Sequence, residues 1–521
     1  MTHLCLHAHF YQPPRENPWL GEIEVQPSAA PWHDWNERIS DECYEPNAQT
    51  GTFARLSFNV GPTLMAWFAR SRPELLVAIR EADREGTRRF DGHGPAIAQA
   101  YNHMILPLAS ERDRRTQIHW GVAEFAHRFG RAPEGLWLPE TAVDLASLSI
   151  AAELGIRFTI LAPHQADEPG AIDPRRPYRV NLPGGRSIAV FFYDGGLAGE
   201  VAFGNALASP ERFRDFLFAA AAEAAAGGER NRFGRAEGTT LSTGGGGEPE
   251  GPPLVHLATD GETFGHHKPH GAAALAGALT AIEASPDHEL TVYGAYLDRF
   301  PPQRDVRIAE NTSWSCPHGV ERWRSACGCA GGREPDWSQE WREPLREALD
   351  WLRDETARLF TERAARFFSD PWAARDDYIT LLLDSGDENV GRFLAGHALP
   401  GRDPDDARPG LPLLELEHQA MLMYTSCGWF FDDPGDIETV QILQYAGRVV
   451  QLAAAHLGAD LETGFLERLD RVVSNDPKRG TGRTIWETRV RPHLEKHPER
   501  ARTPYQTGTG SERRPRNEAD L

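Results

Sequence analysis

The chain has 521 residues, more than one hydrophobic core usually serves, so one large domain plus a smaller one is expected. Its 55 Lys and Arg stand against 76 Asp and Glu, and the formal charge of −21 disfavours nucleic-acid and anionic-membrane partners. Hydrophobic content of 40% is ordinary for a globular protein, and no apolar run nears the roughly 20 residues of a bilayer span. Six cysteines make no disulfide framework, and Met1-Thr-His enters the first apolar segment without a basic signal region, so the cytoplasm is the expected compartment.

In chain order, Leu4–Phe10 reads as a buried strand carrying His7 and His9. A Pro- and Trp-rich loop from Gln12 to Tyr44 is too long to be a mere connector. Phe53 to Glu85 reads as helical, Thr116–Phe129 as a helix and Gly135–Leu138 as a strand. Helix Ala142–Leu154, strand Phe158–Ala162, strand Ser187–Tyr193 and helix Glu211–Ala226 follow, then strand Leu254–Thr259 and helix His270–Ala284. This alternation predicts an α/β fold, an irregular (β/α) barrel with its site at the C-terminal strand ends. The Gly-, Thr- and Pro-rich stretch 227–253 reads as a flexible insertion; its Gly244–Gly247 run lacks the Lys-Ser/Thr and helix of a phosphate loop. From about Glu340 the pattern turns helical, over Trp341–Phe368, Trp372–Leu383, Leu413–Tyr424, Ile437–Leu457 and Glu462–Val473. The expected organisation is a catalytic domain at 1–335, a C-terminal helical bundle at 336–500 and a disordered tail at 501–521.

Two carboxylates stand just past apolar runs, in Gly135-Leu-Trp-Leu-Pro-Glu140 and Leu254-Val-His-Leu-Ala-Thr-Asp260. Such a pair suits glycosidic chemistry, in which one carboxyl donates a proton and the other attacks or activates water. Taken alone, Glu140 also reads as an acid favoured at a helix start, and Glu262 competes with Asp260. His7 and His9, at i and i+2, share one strand face and read as hydroxyl contacts, with metal ligation the alternative. Cys316, His318, Cys327 and Cys329 form C-x-H-x8-C-x-C, a candidate structural zinc site or else buried reduced thiols. Asp384 to Glu388 reads as a solvated turn.

His7-Ala-His9-Phe-Tyr-Gln12-Pro13, His103-Met-Ile-Leu-Pro107, the Glu140 segment, Asp260-Gly-Glu-Thr-Phe-Gly-His-His267 and Thr425-Ser-Cys-Gly-Trp-Phe-Phe-Asp432 resemble, in order, the motifs of glycoside hydrolase family 57. The resemblance covers residues 1–300 and, more loosely, 410–450. It implies a retaining α-glucan hydrolase or transglycosylase on an irregular, seven-stranded barrel, with an oligosaccharide substrate and no cofactor. Glu140 matches the nucleophile and Asp260 the acid/base, while His7, His9, His103, Trp137, His266 and Trp429 would contact substrate. The loop at Pro14–Tyr44 and the segment Asn311–Trp323 depart from the family pattern and mark a divergent branch. The rival readings are a metal-dependent carbohydrate deacetylase and a non-catalytic glycan-binding protein.

Overall fold

A computed structural model describes residues 1–227, 251–332 and 336–498. Residues 228–250 of the expected insertion, and the tail at 501–521, lie outside them. Among the described residues no helix is long and apolar enough to cross a membrane. The fold is mixed α/β, and the chain divides into two compact units: Met1–Glu343 with Tyr424–Gln441, and Pro344–Met423 with Ile442–Leu521.

The first unit is organised on β1 (Thr2–Phe10), buried at every residue. One edge of β1 pairs in parallel with β8 (Leu254–Asp260) along its length. The other is shared by β2 (Ser57–Val60) at the C-terminal end and β9 (His288–Leu290) at the N-terminal end, both parallel. The register sets His7 opposite Ser57 and Ala258, and His9 opposite Asn59 and Asp260. A second pair joins β3 (Ala98–Gln99) to β4 (Leu136–Trp137). A third sheet runs β10 (Arg304–Asp305), β6 (Pro177–Asn181), β7 (Ser187–Phe192), β5 (Phe158–Leu161), with β6 and β7 antiparallel. Isolated bridges Phe58–Ala96 and Gly135–Phe158 link the three sheets, and the Asp194 amide donates to His256 O at 3.0 Å. No continuous ladder closes these strands into one sheet among the described residues.

The Phe53–Glu85 segment expected as helix contains β2. Ser57-Phe-Asn-Val60 is wholly buried, so it lacks the alternation that marks a half-exposed strand, and Pro62 starts the helix Pro62–Ser71 directly after it. The long loop after β1 holds the short helix Trp35–Ile39, capped by Asp34. Helix Glu111–Phe129 starts five residues before the expected Thr116 because Ser110 caps it, accepting from the Asp113 amide at 3.1 Å.

In the second unit the elements are helices, including most of Arg342–Ala364, Asp387–His397, Leu411–Leu422 and Glu462–Leu469. The expected Trp372–Leu383 helix is two, Pro371–Asp377 and Ile379–Leu383. Of the stretch expected as a turn, Asp384 forms one, its carboxylate accepting from the Gly386 amide at 2.9 Å, whereas Asp387 and Glu388 open the helix Asp387–His397.

Helix Glu111–Phe129 approaches β3 so closely that a Cβ at Gly121 would lie 1.9 Å from Gln99 O. Because the obstacle is backbone, it cannot rotate away. Gly121→Ala is expected to destabilise the protein by about 2 kcal/mol or more. Denaturant unfolding checks this, and an unchanged midpoint would contradict the close approach.

Candidate active site

Glu140 follows β4 in a short helical turn, Pro139–Thr141, with φ near +55° at Glu140 and +50° at Thr141. Two consecutive non-glycine residues in the left-handed region are strained, and such strain tends to gather where surrounding structure fixes a functional side chain. Here one segment does the fixing. The Trp314 amide donates to Glu140 O at 3.0 Å, and Trp314 Nε1 and Ser315 Oγ donate to its Oε2 at 3.0 and 2.6 Å. Burial pushes the Glu140 carboxyl above its ordinary value, opposed by the bonds from Ser315 and Trp314 and by the charge of Arg322. Arg322 itself donates to Ser315 O at 3.3 Å and to Phe430 O at 3.0 Å.

Asp260 is the last residue of β8, and Gly261 follows where any Cβ would strike the Phe10 ring at 2.2 Å. Asp260 and Glu140 line one cavity of about 980 Å³, together with Tyr193, His164, Trp314 and Ser315. The Asp260 side chain is accessible from this cavity but crowded by protein on its other sides. That crowding pushes its carboxyl well above the carboxylate range, with the negative charges of Glu262 and then Glu140 adding to the effect. Glu262 instead points away from the cavity lining, accepting from Tyr44 Oη at 2.6 Å and the Tyr11 amide at 3.0 Å; burial raises it to about 7.

His7, His9 and His103 are buried beside this site in a hydrogen-bonded chain. One proton assignment satisfies every bond. Ser57 Oγ donates to His7 Nδ1 (2.9 Å), His7 Nε2 to Asn59 Oδ1 (3.1 Å), and Asn59 Nδ2 to His9 Nδ1 (2.9 Å) and Gln99 Oε1 (2.7 Å). His9 Nε2 then donates to His103 Nε2 (3.2 Å), and His103 Nδ1 to Ser426 Oγ (2.6 Å). Burial drives His7 and His9 down to about 3 and His103 well below its usual value, so all three are neutral near pH 7. Trp137 stacks on both His7 (4.8 Å between ring centres) and His9 (4.9 Å) and meets Trp314 edge-on at 5.1 Å.

The structure thus brings Glu140 and Asp260 to one cavity, with His7, His9, His103 and Trp137 packed beside it but not among its lining residues. His266 is elsewhere, paired with Glu42 and edge-on to Trp35. Trp429 is buried, its Nε1 donating to Arg342 O at 3.4 Å. Neither lines this cavity. Sequence reasoning missed Trp314, Ser315, Arg322 and Asn59. The first three fall in the Asn311–Trp323 segment noted for departing from the family pattern, which was the available signal.

The profile described as Glycosyl hydrolase family 57 matches residues 33–309, more than half of the chain, and a Domain of unknown function (DUF3536) matches residues 337–502. The chain belongs to glycoside hydrolase family 57 and is an enzyme of the glycoside hydrolase class. In structure it is similar to an exo-type maltose-forming amylase from Pyrococcus sp. ST04, at 15% identity over 95% of this chain and 88% of that one, TM-score 0.68. It is similar as well to a branching enzyme of the same family from Pyrococcus horikoshii, at 16% identity over 95% and 96%, TM-score 0.56. A 4-alpha-glucanotransferase from Thermococcus litoralis is similar at 14% identity over 86% and 60%, TM-score 0.51. A comparison with curated proteins found no match.

Ser315→Ala removes the shorter bond to the Glu140 carboxylate, and its charged form loses support. The Glu140 pKa is expected to rise further, read by infrared or carbon NMR titration of the labelled side chain. An unmoved value would mean that this bond does not favour the anion.

Proposed function

We propose that the protein is a retaining α-glucan hydrolase or transglycosylase in which Glu140 is the nucleophile and Asp260 the acid/base. The observation that carries this reading is the pair of carboxylates on one cavity with different surroundings. Glu140 receives two donors and a nearby guanidinium, which favour its anion, while Asp260 is crowded, faces two like charges and holds its proton. Both donors bind Oε2, so Oε1 is the atom assigned to attack the anomeric carbon. As that bond forms, the glycosidic C–O bond breaks and Asp260 gives its proton to the leaving oxygen. Asp260, now ionised, next takes a proton from water or from an acceptor hydroxyl, whose oxygen displaces Glu140.

The α-glucan specificity is supported by the names of the structural neighbours, an amylase, a branching enzyme and a glucanotransferase. An apolar cavity wall including Phe216, Phe430 and the exposed Phe203 suits stacking of sugar rings. His7 and His9 are read as scaffolding for the site's floor rather than as metal ligands, since every ring nitrogen has a protein partner. That disfavours the deacetylase reading. The strand order β8, β1, β2, β3, β4, β5, β7, joined by ladders and single bridges, supports an irregular seven-stranded barrel at 1–335, and the helices of 336–500 outside the Tyr424–Gln441 stretch support a C-terminal bundle. Six unpaired cysteines are in keeping with a cytoplasmic location.

Product profiling with maltooligosaccharides and amylose tests the class, through reducing ends, ring sizes and branch points; no reaction on any α-glucan would sink it. Glu140→Ala is expected to lower turnover roughly 10³-fold or more, with azide partly restoring cleavage of an accepted aryl α-glucoside and inverting the product. With the same activated aryl α-glucoside, whose leaving group needs little protonation, Asp260→Ala should accumulate a sugar adduct on the Glu140 peptide, seen by mass spectrometry. An adduct on Glu262, or none in an enzyme that turns over that substrate, would overturn both assignments.

The pH profile follows from the same roles. Activity requires Glu140 ionised and Asp260 protonated, so it rises as pH passes the first pKa and falls past the second, both raised. Glu262→Gln removes the larger of the two charges that raise Asp260, so the alkaline limb of kcat/KM is expected to move to lower pH. An alkaline limb that stays in place would show that Asp260 does not set it.

A further inference from the structure

The segment that grips Glu140 has little regular structure of its own. Between Asn311 and Gly332 it forms one helical turn, Glu321–Trp323. Yet it delivers Trp314 and Ser315 to a single carboxylate oxygen, which demands a fixed backbone. Directly after Ser315, Cys316 Sγ lies 3.9 Å from Cys327 Sγ and 3.7 Å from Cys329 Sγ, and Cys329 Sγ lies 3.5 Å from His318 Nδ1. All four ligand atoms fall within 4.8 Å of one another.

We propose that Cys316, His318, Cys327 and Cys329 bind one structural zinc ion that staples this segment and so holds Trp314 and Ser315 against Glu140. A tetrahedral zinc with Zn–S of ~2.3 Å and Zn–N of ~2.05 Å sets its ligand atoms ~3.8 Å (S···S) and ~3.6 Å (S···N) apart. These three spacings match those edges, and the remaining ligand pairs lie within 4.8 Å of one another. They are far from the ~2.05 Å of a disulfide. Hydrophobic packing does not account for the convergence either, because Cys327 and Cys329 are only half-buried and His318 is exposed. Gly319 and Gly328, at φ +84° and +81°, turn the chain beside His318 and between the last two cysteines, which the tight C-x-H and C-x-C spacings require.

The chemistry of the set is balanced. Three thiols lose their protons to the solvent on binding, and three thiolates with a neutral imidazole leave the Zn²⁺ centre one negative charge. The buried Arg342 guanidinium, 3.9 Å from Cys327 Sγ and anchored on Phe431 O at 3.3 Å, is placed to offset it. The metal closes the Cys316–Cys329 loop, and Trp323 within it donates to Ser426 O at 3.2 Å, on the residue that receives His103. Zinc here is a staple with four protein ligands and no open position, outside the bond-breaking chemistry. The site stands without the glycosidase reading; only its link to catalysis rests on Glu140 being the nucleophile.

The test begins with zinc content by plasma mass spectrometry of the full-length protein purified without a metal-affinity tag. About one zinc per chain is expected, with the three cysteines protected from a thiol reagent until a chelator is added. Cobalt exchanged into the same protein should show the thiolate charge-transfer band and the strong visible bands of a tetrahedral site. Cys329→Ser should lower the stoichiometry; should that variant fail to fold, metal content and the cobalt spectrum of the unaltered chain still decide. Protein that binds neither zinc nor cobalt, or that holds a Cys316–Cys329 disulfide when purified under reducing conditions, overturns the site. For the staple, chelation should lower kcat about tenfold or more with little change in KM, and zinc should restore it. Zinc removed with kcat unchanged overturns the positioning role, whereas zinc present in a protein inert towards all α-glucans refutes the function and leaves the metal site standing.

Discussion

The Glu140 carboxylate is held by two donors from consecutive residues, Trp314 and Ser315, that lie about a third of the chain away from it. Hydrogen bonds to a buried charge are among the stronger interactions a protein makes, and leaving such a charge unpaired is costly. The same segment also takes the Glu140 backbone carbonyl, so position and ionisation of the residue are set together. The left-handed backbone at Glu140 and Thr141 is tolerable because of this grip. Geometry on the β4 side alone would leave the carboxylate strained and desolvated.

The histidine chain solves a related problem by different means. Strand β1 is buried at every position, so polar side chains on it must find partners inside the protein. The i, i+2 placement of His7 and His9 matches Ser57 and Asn59 at the same spacing on β2, and the register puts each imidazole against its partner. Asn59 is the hinge of this chain, since its amide accepts from one histidine and donates to the other. Because all three imidazoles are uncharged, they line the neighbourhood of two carboxylates without neutralising either. A protonated histidine there would favour the anionic form of the nearby carboxyls, against the proton that Asp260 must hold.

Sequence carried the parts of this site that obey a local period or a contiguous motif. His7 and His9 showed as alternation on a strand, and Glu140 and Asp260 as acids ending apolar runs, because strand ends are local events. Strand β2 was hidden, since four buried residues between helical segments give no alternation, and with it went Asn59 and Ser57. Trp314 and Ser315 were visible only as an irregular stretch; loop residues that act across 174 or 175 positions leave no periodic trace. The Thr425–Asp432 motif read as part of the helical region, yet Tyr424–Gln441 belongs to the first unit, where Ser426 completes the histidine chain. Helical pattern alone does not reveal which unit a segment joins.

The position of Asp260 shows why strand order matters more than strand regularity. Parallel pairing to β1 sets Asp260 level with His9, and Phe10 admits only glycine after it. The chain then turns, and Glu262 is drawn off to Tyr44 and the Tyr11 amide. Two acids two residues apart are thereby sorted, one left facing the cavity and one committed to holding the loop after β1. Glu262 remains close enough for its charge to add to the effect of burial on Asp260, so a residue whose own contacts are structural still raises the proton affinity of its neighbour. The short β3 and β4 need only bring Gln99 on the one, and Trp137 with Glu140 after it on the other, to this level, where Gln99 meets Asn59 and Trp137 stacks on His9.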